Sequence, residues 1–145
     1  MKGRGMASPL YTTDILRLAA SLPEVRELER EDGRADLRSP TCGSRITMAV
    51  ELDQDRRVRM ISQRVHACAF GQASAALVQQ HAVGRAHDEV AEALVMISRW
   101  LAEEQDESGD WPGVAILEPA RRRKARHGAI LLPFRALLAA IESAT

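Results

Sequence analysis

Arg45-Ile46-Thr47-Met48-Ala49-Val50-Glu51-Leu52 is the stretch whose reading decides the fold. Ile46, Met48, Val50 and Leu52 alternate with Arg45, Thr47, Ala49 and Glu51, the pattern of a strand with one buried face. Downstream, Asp53-Gln54-Asp55-Arg56 can turn the chain. Val58, Met60, Ile61 and Val65 then continue as a second strand whose phase slips once, as a bulge near Ile61 would make it do. Upstream, residues 35–38 are expected to form a further strand, after a charge-dense connector over residues 24–34 in which Asp32-Gly33 reads as a turn.

Outside the sheet the apolar spacing becomes helical. Thr12-Thr13-Asp14 opens a short helix with Ile15, Leu18, Ala19 and Leu22 on one face and Pro23 as its stop. From Cys68, the run Ala69-Phe70-Gly71-Gln72-Ala73-Ser74-Ala75-Ala76-Leu77-Val78 predicts a second helix that ends near Gly84, with side chains small enough to lie close to a sheet. Asp88 and Glu89 open a third, with Val90, Leu94, Ile97 and Leu101 as its buried face. Residues 103–112 read as a loop, and residues 114–117 as a short element that Pro119 stops. The last helix buries Phe134, Leu137, Leu138 and Ile141, and tolerates Pro133 only in its first turn. The expected class is α+β: an N-terminal helix, a small three-stranded antiparallel sheet, then several helices packed on one face.

Composition narrows the function. A chain of 145 residues, 46% hydrophobic, can build one ordinary core, so residues 1–145 are expected to form a single domain with residues 1–11 as a flexible arm. Lys+Arg and Asp+Glu number 20 each, leaving no global field for a polyanion, and 3% aromatic content offers little for base stacking. Nucleic acid is thereby excluded as the expected partner. The longest apolar run, residues 129–134, is far short of the roughly 20 residues that span a bilayer, so no membrane segment is expected. Two cysteines make no disulfide framework, and Met1-Lys2-Gly3-Arg4-Gly5 lacks the apolar run of a secretory signal, which points to a reducing, cytoplasmic setting.

Cys42, Cys68 and His127 carry the chemistry. These soft donors fall at element boundaries, where sites are built. Two thiolates and an imidazole could hold iron, or zinc with an open fourth position. A lone cysteine can equally be a small core residue, and no compact zinc spacing is present. His81 and His87 read as surface residues, and residues 121–126 as a solvated basic turn or a docking segment.

Three segments together resemble the NifU-like, U-type iron–sulfur cluster assembly scaffold family, over roughly Thr12 to the C-terminus. They are Pro40-Thr41-Cys42-Gly43-Ser44, Val65-His66-Ala67-Cys68-Ala69 and His127-Gly128-Ala129-Ile130-Leu131. The resemblance implies a non-enzymatic scaffold or carrier that holds a labile 2Fe–2S cluster or iron. It would take sulfur from a cysteine desulfurase, engage a chaperone and deliver to recipient apo iron–sulfur proteins. Carried over residue by residue, Cys42 and Cys68 match the family's first two cysteines and His127 the histidine of its third motif. Ser44 stands in place of the aspartate, Gly128 in place of the third cysteine and Ala67 where a glycine is usual. A cluster generally takes four protein ligands. His66, Ser44, a small thiol or a second chain in a homo-oligomer could complete the set. Sulfur relay, in which a thiol of this site accepts persulfide sulfur, and a zinc-binding interaction module are the alternatives.

Overall fold

The computed structural model describes residues 11–40 and 43–144, so the expected N-terminal arm lies, up to residue 10, outside the described residues. In chain order the elements are α1 (Thr13–Ala20), β1 (Gly33–Arg38), β2 (Arg45–Leu52), β3 (Val58–His66), α2 (Ala69–His81), α3 (His87–Leu101), a 3-10 helix (Val114–Arg122) and α4 (Lys124–Ser143). The strands make an antiparallel sheet in the order β1-β2-β3, and the class is α+β. Thr12 caps α1 by accepting the Ile15 N–H at 3.1 Å, and the Tyr11 ring lies 5.1 Å from that of Phe70.

On β2, Ile46, Met48 and Val50 are wholly buried and Leu52 nearly so, as the alternation predicts. Ala49 and Glu51 on the opposite face are buried as well. Residues 22–32 pass that face as a strap whose Val25 and Leu28 share a cavity wall with Thr47 and Ala49, while Arg30 and Arg59 pair with Glu51. The strap is pinned at its end. The Asp32 carboxylate accepts the Leu52 N–H at 2.7 Å and a bond from Arg30, which itself donates to the Leu52 carbonyl. The Leu52 N–H, ahead of Arg30, holds the Asp32 carboxyl below its usual range. Asp32-Gly33 is therefore an anchor leading straight into β1 and not a free turn.

The phase slip is real but sits earlier than expected. Glu51 faces Met60 while Leu52 faces Val58, which makes Arg59 the extra residue. Val58 points inward before the bulge, and Ile61 and Gln63 do after it, leaving Met60 exposed.

α4 forms the centre of the fold. It packs on β1, β2, α2 and α3, and its residues 129–134 are buried on every face. Pro133 thus lies in mid-helix and not in the first turn, since the helix already starts at Lys124. Burial all round the helix outweighs the lost Pro133 hydrogen bond, a cost of about 3 kcal/mol. Pro119 likewise fails to stop the 3-10 helix. The carbonyl it cannot serve belongs to exposed Ile116, where water can take its place.

His87 joins α3 to the end of α4. Its Nε2 lies 2.8 Å from Glu142 Oε2 and its Nδ1 2.8 Å from Asp88 Oδ1. Glu142 first, then Asp88, raise its pKa above the ordinary 6.5. A pKa raised on folding gives stabilisation that is complete below about pH 6.5 and fades as pH rises through the folded value. The melting temperature should therefore fall from about pH 6 to 8.5 more steeply in the parent than in Glu142→Gln, and less so in high salt. Parallel profiles for the two proteins would remove this bridge from the account.

Candidate functional site

The β1–β2 connection spans residues 39–44, closed by Ser39 N–H donating to the Ser44 carbonyl at 2.8 Å and Gly43 N–H donating to the Ser39 carbonyl at 3.2 Å. Gly43 has φ 73°, a conformation that favours glycine. Cys42 itself lies outside the described residues. Ser44 is only 3% exposed, at the base of the loop. The register pairs Arg45 with His66, so the β1–β2 loop and the chain leaving β3 emerge at the same end of the sheet. Exposed His66 lines a cavity of about 520 Å³ there with Pro40, Gly43 and Arg45.

Two residues beyond His66, Cys68 occupies the N-cap of α2 with extended backbone, φ −67° and ψ 174°. Its carbonyl accepts the Gln72 N–H, its thiol makes no capping bond, and its partly buried side chain rests against the core. The thiol is free, beside the unsatisfied amides of a helix start.

The sequence pattern puts His127 just before the last helix, but α4 already starts at Lys124, so His127 lies in its first turn. Its Nε2 is 2.8 Å from the Ala120 carbonyl and 3.2 Å from that of Arg121. Both partners are acceptors, so Nε2 carries the proton in the neutral ring, and the lone pair is left on Nδ1. Among the described residues Nδ1 has no hydrogen-bond partner.

α2 and α4 meet near these donors. A Cβ on Gly71 would lie 2.5 Å from the Ala67 Cβ and 3.3 Å from the Ala129 carbonyl oxygen, and Ser74 Oγ donates to the Ile130 carbonyl. Cys68 and His127 thus occupy the N-terminal turns of two helices in contact. His66, Cys68 and His127 do not by themselves make a metal-holding group, for among the described residues no cluster of three His, Cys, Asp or Glu side chains does. Any shared site needs a donor from outside that set.

The basic segment is only partly a solvated turn. Arg121 Nε donates to the Trp100 carbonyl at 2.8 Å and Nη2 to the Gln105 carbonyl at 2.9 Å, with the guanidinium over the Trp100 ring. Arg122, Arg123 and Lys124 are exposed. Neither this role of Arg121 nor the reach of His87 to Glu142 carries a local sequence signal. No helix among the described residues is long and apolar enough to cross a membrane.

The architecture defines an α+β domain with soft donors at helix starts beside one end of a small sheet. It matches the crystal structure of a NifU-like protein (N-terminal) from Brucella abortus with a TM-score of 0.84 and 30% identity, over 92% of this chain and 93% of that one. This chain belongs to the NifU-like family. Two further structures share the fold. A putative iron–sulfur cluster assembly scaffold protein for the SUF system from thermophilic Fervidobacterium islandicum AW-1 gives 0.81 at 17% identity, covering 91% of this chain and 96% of that one. A hypothetical protein gives 0.78 at 21% identity, covering 92% and 97%. No family model and no curated protein matches the sequence.

Proposed function

We propose that this chain is an iron–sulfur cluster scaffold or carrier whose cargo is held by Cys42, Cys68 and His127. The observation that carries the reading is the state of His127. A ligating imidazole typically gives its second N–H to a carbonyl or carboxylate, which fixes the tautomer and aims the free nitrogen. His127 does so through Ala120 and Arg121, with Nδ1 left for a metal. Cys68 adds a free thiol at a helix start, and the Brucella and Fervidobacterium neighbours add the family context.

Three ligands are fewer than the four a cluster generally takes. The shortfall makes the cargo exchangeable, because an incoming ligand from a recipient apo iron–sulfur protein meets an unsatisfied iron position instead of having to displace a thiolate. Sulfur reaches the site from a cysteine desulfurase in this reading, and exposed Arg122, Arg123 and Lys124 beside His127 offer an acidic chaperone or desulfurase surface a place to dock.

Anaerobic reconstitution with iron, sulfide and reductant, followed by absorbance and elemental analysis, is the test. Iron and sulfide in comparable amounts with sulfur-to-iron charge-transfer bands support the reading; zinc alone, or no metal, overturns it in favour of an interaction module. Cys42→Ala and Cys68→Ala should each lose most of the bound iron while far-ultraviolet circular dichroism stays unchanged, because strand and helix faces build the core and Cys68 only borders it. Unchanged metal content in both variants would sink the assignment.

A further inference from the structure

β3 is an edge strand, and most of its outer edge is unpaired. Ser39 N–H donates to the Ser44 carbonyl across the β1–β2 turn. Backbone direction alternates along a strand, so the backbones of Ile46, Met48 and Val50 face β1, and those of Arg45, Thr47, Ala49 and Glu51 face β3. Through the pairs Arg45↔His66, Thr47↔Arg64 and Ala49↔Ser62, this turns the N–H and C=O groups of Ile61, Gln63 and Val65 away from the sheet. No described residue bonds to them. Nearer the bulge the edge is already taken, since Val58 N–H donates to the Arg85 carbonyl at 2.9 Å and the Val58 carbonyl accepts from Gly84 at 2.7 Å.

Opposite the unpaired stretch runs the strap. Its residues 23–26 form the far wall of a slot of about 610 Å³ whose near wall includes Met60, Ser62 and Gln63. Gln63 is 5% exposed. Its Nε2 donates to the Ala75 carbonyl at 2.9 Å and to Gln79 Oε1 at 3.1 Å, which fixes the amide's orientation and leaves Gln63 Oε1 buried without a partner. A buried acceptor without a donor is destabilising. Here it lies beside a row of backbone groups that no described residue pairs.

We propose that this slot receives an extended segment of a partner polypeptide, which adds to β3 as a fourth strand. Main-chain bonds to Ile61, Gln63 and Val65 supply the attraction, and the flanking side chains supply the choice of sequence. Strap residues 23–26 wall the slot on the side away from β3, so the fitting occupant is a single extended segment and not the edge of a second copy's sheet. On the outer face the added strand lies beside exposed Met60, Ser62 and exposed Arg64, which borders a cavity that Glu27 and Glu31 of the strap also line but forms no ion pair with a described residue. The fitting segment therefore has an apolar side chain beside Met60 and an acidic one beside Arg64, four positions apart. On the other face, a hydroxyl or amide gives Gln63 Oε1 its donor.

The probe is the blocked heptapeptide acetyl-Thr-Glu-Thr-Ser-Thr-Val-Thr-amide, titrated into the full chain and followed by amide chemical shifts. Saturable shifts centred on Ile61, Gln63 and Val65 are expected. Val65→Pro removes an outward N–H, a change an edge strand tolerates, and should weaken binding at least about tenfold. Arg64→Glu should weaken it up to about fivefold, with recovery when lysine replaces the peptide's glutamate. Methylating alternate peptide nitrogens should abolish binding while leaving the side chains intact. Absence of binding at millimolar peptide overturns the proposal, as do shifts confined to another surface or equal binding by a folded Val65→Pro. A chain that self-associates through this edge, and becomes monomeric in Val65→Pro, would also overturn it by making a second copy the occupant.

Discussion

Gly33→Ala should destabilise the fold by about 2–4 kcal/mol, lowering the melting temperature by roughly 5–15 °C. Gly33 opens β1 where α4 crosses it, and a Cβ there would stand 2.0 Å from the Ala140 carbonyl oxygen and 2.9 Å from Ser143 Oγ. The obstacle is helix backbone, which no rotamer change can clear. α4 would have to lift off β1, breaking the bond from Arg34 N–H to Ser143 Oγ, 2.8 Å long. The loss exceeds the roughly 0.4–1 kcal/mol gained by stiffening the unfolded chain. Gly84→Ala is the control: Gly84 has φ 89° and open space around the missing Cβ, so its cost is only the backbone term, about 1–2 kcal/mol. Denaturant unfolding of both variants checks the ordering. A Gly33→Ala protein as stable as its parent would mean that α4 does not sit this close to the sheet.

Gly33 also shows where the sequence stops being legible. Strand β2, the capped start of α1 and the stripes of α2 and α3 could be read locally, because each side chain's partner is set by the period of its own element. Half-buried Leu94 is the weakest member of the α3 stripe. What could not be read depends on contacts between distant segments. A glycine before a strand reads as a turn until a helix from the other end of the chain is found against it. Pro133 reads as a helix start until the fold centre closes around it on every side. Arg30 and Asp32 look like two charges in a polar connector, and only the strap's return to Leu52 makes them an anchor. The site divides the same way. Cys68 at a helix start is legible in the sequence, whereas the tautomer of His127 is dictated by carbonyls of the 3-10 helix, which the sequence pattern ends too early.

Gly128→Cys should lengthen cluster retention under chelator challenge by about tenfold or more. Loss of even an outer-shell partner typically changes metal affinity by about 10–100-fold, and this change adds a direct thiolate ligand, the donor that iron in such clusters prefers. The backbone permits it. Gly128 lies within α4 and is not among the glycines of positive φ, so a cysteine there adopts ordinary helical geometry. Replacing glycine in a helix interior also gains a little stability, which could slow cluster loss without any ligation. Gly128→Ala separates the two effects, because it brings the helix gain and no sulfur. If the cluster persists longer in Gly128→Cys than in Gly128→Ala, the new thiol reaches the iron, and the first turn of α4 is the wall on which His127 faces the cargo. Equal lifetimes in the two variants would place the cargo away from α4, leave the His127 hydrogen bonds as a purely structural cap on the 3-10 helix, and count against the three-ligand assignment.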